Sequence, residues 1–244
     1  MKMETLPEEI IKLIFDYCKV ETLKTIACCN KFLKELVTPH LWHTIFVHLP
    51  IKEDEVVSKL DNLKHARALT FHENRKKDDE NEDATIQNLT RVLNSCKSSR
   101  VETIIIQCKR FYYHFFNENI IAILSTFKNV RNLNLRLHYQ EMNEDVVLYI
   151  LKLKNLRELL IPNVVLITKS FEKLAERNEL QKLHINGTVN KTTKLIGQCT
   201  NLKALTINSD RSGPGQNISP LSSLINLELL ELTGFHLEGT PCIN

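Results

Sequence analysis

LQKLHINGTVNKTTKLIGQCTNLKALTI, residues 180–207, holds one full period of the chain and the start of the next. Leu180, Leu183 and Ile185 take the first, fourth and sixth places of a short run, and Leu202, Leu205 and Ile207 repeat that spacing 22 residues later. Alternation of apolar and polar residues over Lys182–Asn186 is the two-residue period of a strand that buries one face. Between the two runs, TTKLIGQC carries the wider apolar spacing of a short helix. Strand, helix, strand is a unit whose strands run parallel, because an antiparallel return needs only a tight turn.

The same template is met at Ala66-Leu69-Phe71, Val101-Ile104-Ile106, Val130-Leu133-Leu135, Leu156-Leu159-Ile161 and Leu227-Leu230-Leu232. Successive starts are separated by 35, 29, 26, 24, 22 and 25 residues, and after the first gap they fall within or beside the 20–29 of leucine-rich repeats. Helical stretches intervene: DATIQNLTRVLNSC, NENIIAILSTF, NEDVVLYILKL and SFEKLAERN. One such unit cannot bury its own apolar face, so neighbours must stack. The region 50–244 therefore resembles a leucine-rich-repeat horseshoe. That implies an α/β solenoid of about seven irregular repeats, with a parallel sheet on the concave face and helices on the convex face. The ninth place, Asn or Cys in that family, holds Asn74, Lys109, His138, Val164, Thr188, Asp210 and Phe235, so only the first conforms. The long first gap contains ENRKKDDENEDA, which lacks apolar content apart from its final alanine and is expected as a solvated loop. TGFHLEGTPCIN, after the last run, supplies no capping helix, so the array is expected to end open or to continue in a longer chain.

Residues between the buried positions point away from the core. Asn and Thr dominate that panel, with isolated charges, which suits hydrogen bonding to a protein better than capture of a phosphate chain. Ile105, Asn134, Arg136, Glu158, Leu160, Lys182 and His184 are the candidate substrate-binding residues.

The N-terminal stretch has a different rhythm. Pro7 suits a helix start, and Glu8 and Glu9 oppose the positive end of its dipole. At about 100° per residue, Ile10, Ile11, Leu13, Ile14, Phe15, Tyr17 and Cys18 sweep about 200° of helix surface, twice what one core requires. Val20, Leu23, Ile26 and Ala27, then Cys29, Phe32, Leu33, Leu36 and Val37, predict one or two further helices, with Pro39 expected to close the run at Thr38. Trp42, the single tryptophan, is expected to pin this module onto the repeat region. Val56, Val57, Leu60 and Leu63 predict a short helix leading into the repeats.

Leu6-Pro7, Glu9, Ile14-Phe15, Leu23, Cys29, Phe32, Leu36 and Leu41-Trp42 fall in the order that closely resembles an F-box, which would occupy residues 1–49. The resemblance implies that the module docks on the Skp adaptor, and through it on cullin, in a Skp–cullin–F-box ubiquitin ligase. The repeats would then hold a protein target for ubiquitination. Adaptor-contacting residues would be Leu6, Pro7, Ile10, Ile11, Ile14, Phe15, Leu23 and Trp42. The alternative is a scaffold or inhibitor whose N-terminal helices only cap the solenoid; apolar exposure on the first helix separates the two.

Enzymatic readings find little support. The seven cysteines form no CxxC pair, Cys28 and Cys29 fall within an expected helix, and Gly213-Pro214-Gly215 lacks the Gly-Lys-Ser/Thr of a phosphate loop. His184 has no neighbouring ligand at metal spacing. No catalytic residue, metal or cofactor is expected. A net charge of +3, with basic residues scattered, argues against nucleic acid, and no apolar run reaches a membrane span. The acidic turn of MKMETLPEE does not match a secretory signal, so the expected compartment is cytoplasmic or nuclear.

Overall fold

A computed structural model describes residues 6–49, 63–73, 82–96, 100–108, 118–137, 148–161, 168–176, 179–186, 193–208 and 217–234. Three helices come first: α1 (Glu8–Asp16), α2 (Val20–Ala27) and α3 (Lys31–Leu41). Pro7 caps α1, its carbonyl accepting from the Ile10 and Ile11 amides at 3.0 and 3.1 Å. The Asn30 side chain caps α3 by accepting the Leu33 amide at 2.8 Å, which satisfies one of the orphan donors of a helix start. Ile11, Phe15, Leu23, Leu33, Leu36 and Val37 form a small core of their own, and His40 ties α3 to α1 by a 3.0 Å contact with Asp16 and an edge-on contact with the Phe15 ring.

Pro39 does not end α3. The helix runs on to Leu41, because a proline in the last turn removes only the bond to the Glu35 carbonyl, and Glu35 lies open to water. Trp42 still donates to the Thr38 carbonyl at 3.1 Å, and the Thr38 hydroxyl donates back to the Lys34 carbonyl at 2.7 Å.

Eight strands follow in one parallel sheet whose spatial order is the order of the chain. They are β1 (Thr44–Leu49), β2 (Ala68–Glu73), β3 (Thr103–Cys108), β4 (Asn132–Leu137), β5 (Glu158–Ile161), β6 (Lys182–Asn186), β7 (Ala204–Asn208) and β8 (Leu229–Thr233). Helices α4 (Glu82–Ser95), α5 (Glu118–Ser125), α6 (Thr168–Ala175) and α7 (Thr193–Ile196) lie in the connections, and residues 148–150 are helical. The register is unbroken, so like positions of every repeat stand side by side. Ile45, Leu69, Ile104, Leu133, Leu159, Leu183 and Leu205 form one buried row, and Val47, Phe71, Ile106, Leu135, Ile161, Ile185 and Ile207 a second. Leu230 continues the first row yet is 45% exposed, since no strand among the described residues lies beyond β8.

Two expectations change here. Strand β1 comes from the end of the stretch assigned to the N-terminal module, which makes eight strands where seven repeats were expected. The template is present there as Trp42-Ile45-Val47, which lies 24 residues before Ala66, and Trp42 packs on the sheet core as the first place of a repeat should. The helix expected from Val56 to Leu63 lies outside the described residues except for Leu63, which is buried and opens a short 3₁₀ turn, Leu63–His65. The stretch expected as a loop, residues 73–84, gives Glu73 to β2 and its last three residues to the helix Glu82–Ser95; residues 74–81 and all seven ninth-place residues lie outside the described residues.

A second side-chain ladder does appear, at the residue preceding the first place. The Asn155 amide donates to the Lys128 carbonyl at 2.6 Å, and Asn226 donates to the Thr200 carbonyl at 2.9 Å, each reaching the equivalent point of the preceding repeat. On the helical side, Gly197 makes close stacking possible. A Cβ there would stand 2.3 Å from the Pro220 carbonyl oxygen, in the 3₁₀ segment Ser219–Ser223.

Candidate functional site

Two surfaces stand out. The first is the outer face of α1. With 100° per residue, Ile11, Phe15 and Cys18 point in one direction and Ile10, Leu13, Ile14 and Tyr17 in another, roughly 120° away. The structure separates them accordingly. Ile11 and Phe15 are 0% and 1% exposed, whereas Ile10, Leu13, Ile14 and Tyr17 are 44%, 53%, 37% and 85% exposed. Lys12 pairs with Glu8 on the opposite side of the helix from this strip.

The eight residues expected to meet an adaptor thus divide. Pro7, Ile10 and Ile14 are accessible. Ile11 and Phe15 are buried in the three-helix core with Leu23 of α2, because a helix as short as α1 can give only one face to its neighbours and Ile11 and Phe15 occupy it. Their role is packing. Leu6 is half-buried against the same core, and Trp42 is half-buried against the sheet. Leu13 and Tyr17, absent from the expected set, belong to the exposed strip; the i, i+3, i+4, i+7 spacing from Ile10 was the signal for them.

The second surface is the open face of the sheet. Register places Thr103, Asn132, Glu158, Lys182, Ala204 and Leu229 in one row, and Ile105, Asn134, Leu160, His184, Thr206 and Glu231 in the next. A depression of ≈ 410 Å³ lies over these rows. Six of the seven candidate residues line it: Ile105, Asn134, Glu158, Leu160, Lys182 and His184. Arg136 is exposed one row further along the strands and does not line it.

Most polar groups of this surface are held by one another. Lys182 and Glu158, opposite each other on β6 and β5, pair at 2.7 Å, and hydrogen bonding to and attraction by Glu158 raise the Lys182 pKa. His184 Nε2 lies 2.9 Å from Asn186 Oδ1 and 3.2 Å from Asn208 Nδ2, while Asn208 donates to Asn186 at 2.8 Å. The Thr206 hydroxyl donates to Glu231 at 3.1 Å. Asn134 differs: its Oδ1 is shut off from solvent between Ile105 and Leu160 without a hydrogen-bond partner. The surface can therefore offer aliphatic contact from Ile105 and Leu160 at little electrostatic cost, since Lys182 and Glu158, which line it, are already neutral as a pair.

Cys28 and Cys29, expected within a helix, lie exposed in the turn after α2, and nucleophile chemistry finds no setting in the buried thiols. Burial pushes the Cys96 and Cys199 thiols up to about 12 and about 11, so both stay protonated at neutral pH. Among the described residues no three His, Cys, Asp or Glu side chains gather as a metal site, and no helix is long and apolar enough to cross a membrane.

The register and the buried rows define a parallel solenoid of the leucine-rich-repeat type. Two internalins of Listeria monocytogenes are similar to it in structure. One has a TM-score of 0.45 at 15% identity, over 80% of this chain and 49% of its own; the other has 0.46 at 13%, over 88% and 92%. The leucine-rich-repeat ectodomain of the Arabidopsis receptor kinase HAESA, solved with a peptide hormone, matches with a TM-score of 0.41 at 13% identity, over 79% of this chain and 29% of its own. The chain thus spans about half the length of the first internalin. No family model matches the sequence, and no curated protein matches it.

Proposed function

We propose that this chain is the substrate-recognition subunit of a Skp–cullin–F-box ubiquitin ligase, itself non-catalytic, with α1–α3 as the adaptor-binding F-box and the open sheet face as the target-binding surface. The observation that carries the reading is the strip of Ile10, Leu13 and Ile14, apolar and accessible on a helix whose other face already has its core. A helix that merely capped the solenoid would have that strip covered. The reading also rests on the resemblance of Leu6-Pro7 through Leu41-Trp42 to the F-box pattern.

Magnitudes favour a distributed interface. Burial of a large aliphatic side chain is worth ~1.5–3 kcal/mol, so three half-exposed ones offer ~2–4 kcal/mol in total. Association alone costs ~4–15 kcal/mol. Pro7, Tyr17 and the flanks of α1 must add contacts for the adaptor to stay bound. At the other surface, a target seats an apolar side chain against Ile105 and Leu160, with Glu158, Lys182 and His184 giving polar definition around it. Ubiquitin transfer then results from proximity within the assembled ligase. A cytoplasmic or nuclear location goes with this role.

The test is capture of purified Skp adaptor by the folded full chain. A stoichiometric complex supports the proposal; no complex, with far-UV circular dichroism showing a folded chain, removes it. Arg136→Ala with Lys182→Ala should leave that complex intact while weakening a target once one is identified.

A further inference from the structure

At the N-terminal edge of the sheet, the residue before each strand stacks on its counterpart in the next repeat. The Arg131 amide donates to the Glu102 carbonyl at 2.8 Å, Arg157 to Arg131 at 2.7 Å, Gln181 to Arg157 at 2.8 Å, Lys203 to Gln181 at 2.7 Å and Glu228 to Lys203 at 2.7 Å. Successive steps are about 4.8 Å apart, so their side chains meet. Where neighbours on this ladder are opposite in charge they can pair, as Lys203 and Glu228 do at 3.3 Å. Arg131 and Arg157 are adjacent and alike, and among the described residues neither has a carboxylate within ion-pair distance.

Arg131, Arg157 and Arg100 line a single concavity of ≈ 370 Å³, walled also by Glu102, Asn129, Asn155 and Glu179. Asn155 is committed to the Lys128 carbonyl. Three cations face two carboxylates across this space, leaving an excess of one positive charge.

We infer that this concavity is an anion-binding site, in which Arg131 and Arg157 together hold one oxyanion, phosphate or carboxylate. A planar guanidinium presents paired donors to two oxygens, so two of them side by side match a tetrahedral or planar oxyanion, and the bound charge relieves their mutual repulsion. Glu102, next to Arg131 on the ladder, opposes the ligand and sets a weak affinity. The site is on the edge of the sheet, apart from the depression on its open face, and stands whether or not the chain serves a ligase.

The test monitors the Arg Nε–Hε resonances of the full chain by NMR, with inorganic phosphate, acetate and chloride titrated separately at constant ionic strength. Expected are saturable shifts of Arg131 and Arg157 with phosphate, acetate or both, the stronger ligand naming the class of oxyanion the site takes. Arg131→Gln with Arg157→Gln should weaken that binding at least tenfold with the amide spectrum otherwise retained. Glu102→Gln should tighten it about threefold, the effect of removing a charge about 6 Å away in water. Shifts that chloride reproduces, or no shift with either oxyanion, would overturn the inference. So would unchanged binding in the double variant.

Discussion

Replacing Ile10, Leu13 and Ile14 together by alanine separates docking from folding on α1. These side chains are 44%, 53% and 37% exposed, so a partner can still cover roughly half of each. At ~1.5–3 kcal/mol for a whole side chain, the loss comes to about 2–4 kcal/mol, or about 30- to 1000-fold in Kd. The fold should hardly notice. About half of the surface removed already lies in water, and alanine is a better helix former than isoleucine, which offsets part of the packing lost. Ile11→Ala is the opposite case: its side chain is 0% exposed, and a cavity there should cost ~2–5 kcal/mol and loosen the three-helix core. Calorimetric titration of both variants with purified Skp adaptor, beside circular dichroism, gives the answer. A triple variant with native helix content and wild-type affinity would refute the assignment of this strip to the adaptor.

Four further outcomes are expected. Asn134→Leu should raise stability by ~1–3 kcal/mol in urea denaturation, because it removes a buried acceptor that has no partner; a loss of stability would mean that Oδ1 is satisfied in solution. Gly197→Ala should be destabilising in the same assay, because its Cβ would meet the Pro220 carbonyl oxygen at 2.3 Å and force Ser219–Ser223 away; wild-type stability would show that this contact yields at no cost. Iodoacetamide at pH 8, with peptide mass mapping afterwards, should modify Cys28 and Cys29 readily in the folded chain and Cys96 only after denaturation. With its pKa pushed up to about 12, only about one Cys96 in ten thousand is thiolate at that pH. The same shift makes stability fall as pH rises above about 9, where the unfolded thiol ionises and the buried one does not.

Much of the open face was legible from spacing alone. A period of two fixes which residues of a strand share a side, and stacking of like repeats then brings Ile105, Asn134, Leu160 and His184 into one row. Strand β1 was legible too, as Trp42-Ile45-Val47, but Trp42 also fitted the ending of the N-terminal module, and that reading absorbed the strand. Pro39 shows a local rule yielding to position: in a last turn the missing donor leaves one carbonyl to water, and the helix continues.

What the sequence determined by itself is therefore the repeat, the parallel sheet and the inward and outward sides of each strand, since these depend on short-range periodicity. Tertiary structure decided how the wide apolar arc of α1 is shared. Periodicity reports only that Ile10, Ile11, Ile14 and Phe15 are apolar; the packing of α2 and α3 takes Ile11 and Phe15 inside and leaves Ile10 and Ile14, with Leu13, at the surface. It also decided the pairing of Lys182 with Glu158 and the closeness of Arg131 to Arg157. Those residues lie more than 20 positions apart in the chain, and only the register of neighbouring repeats brings their side chains together.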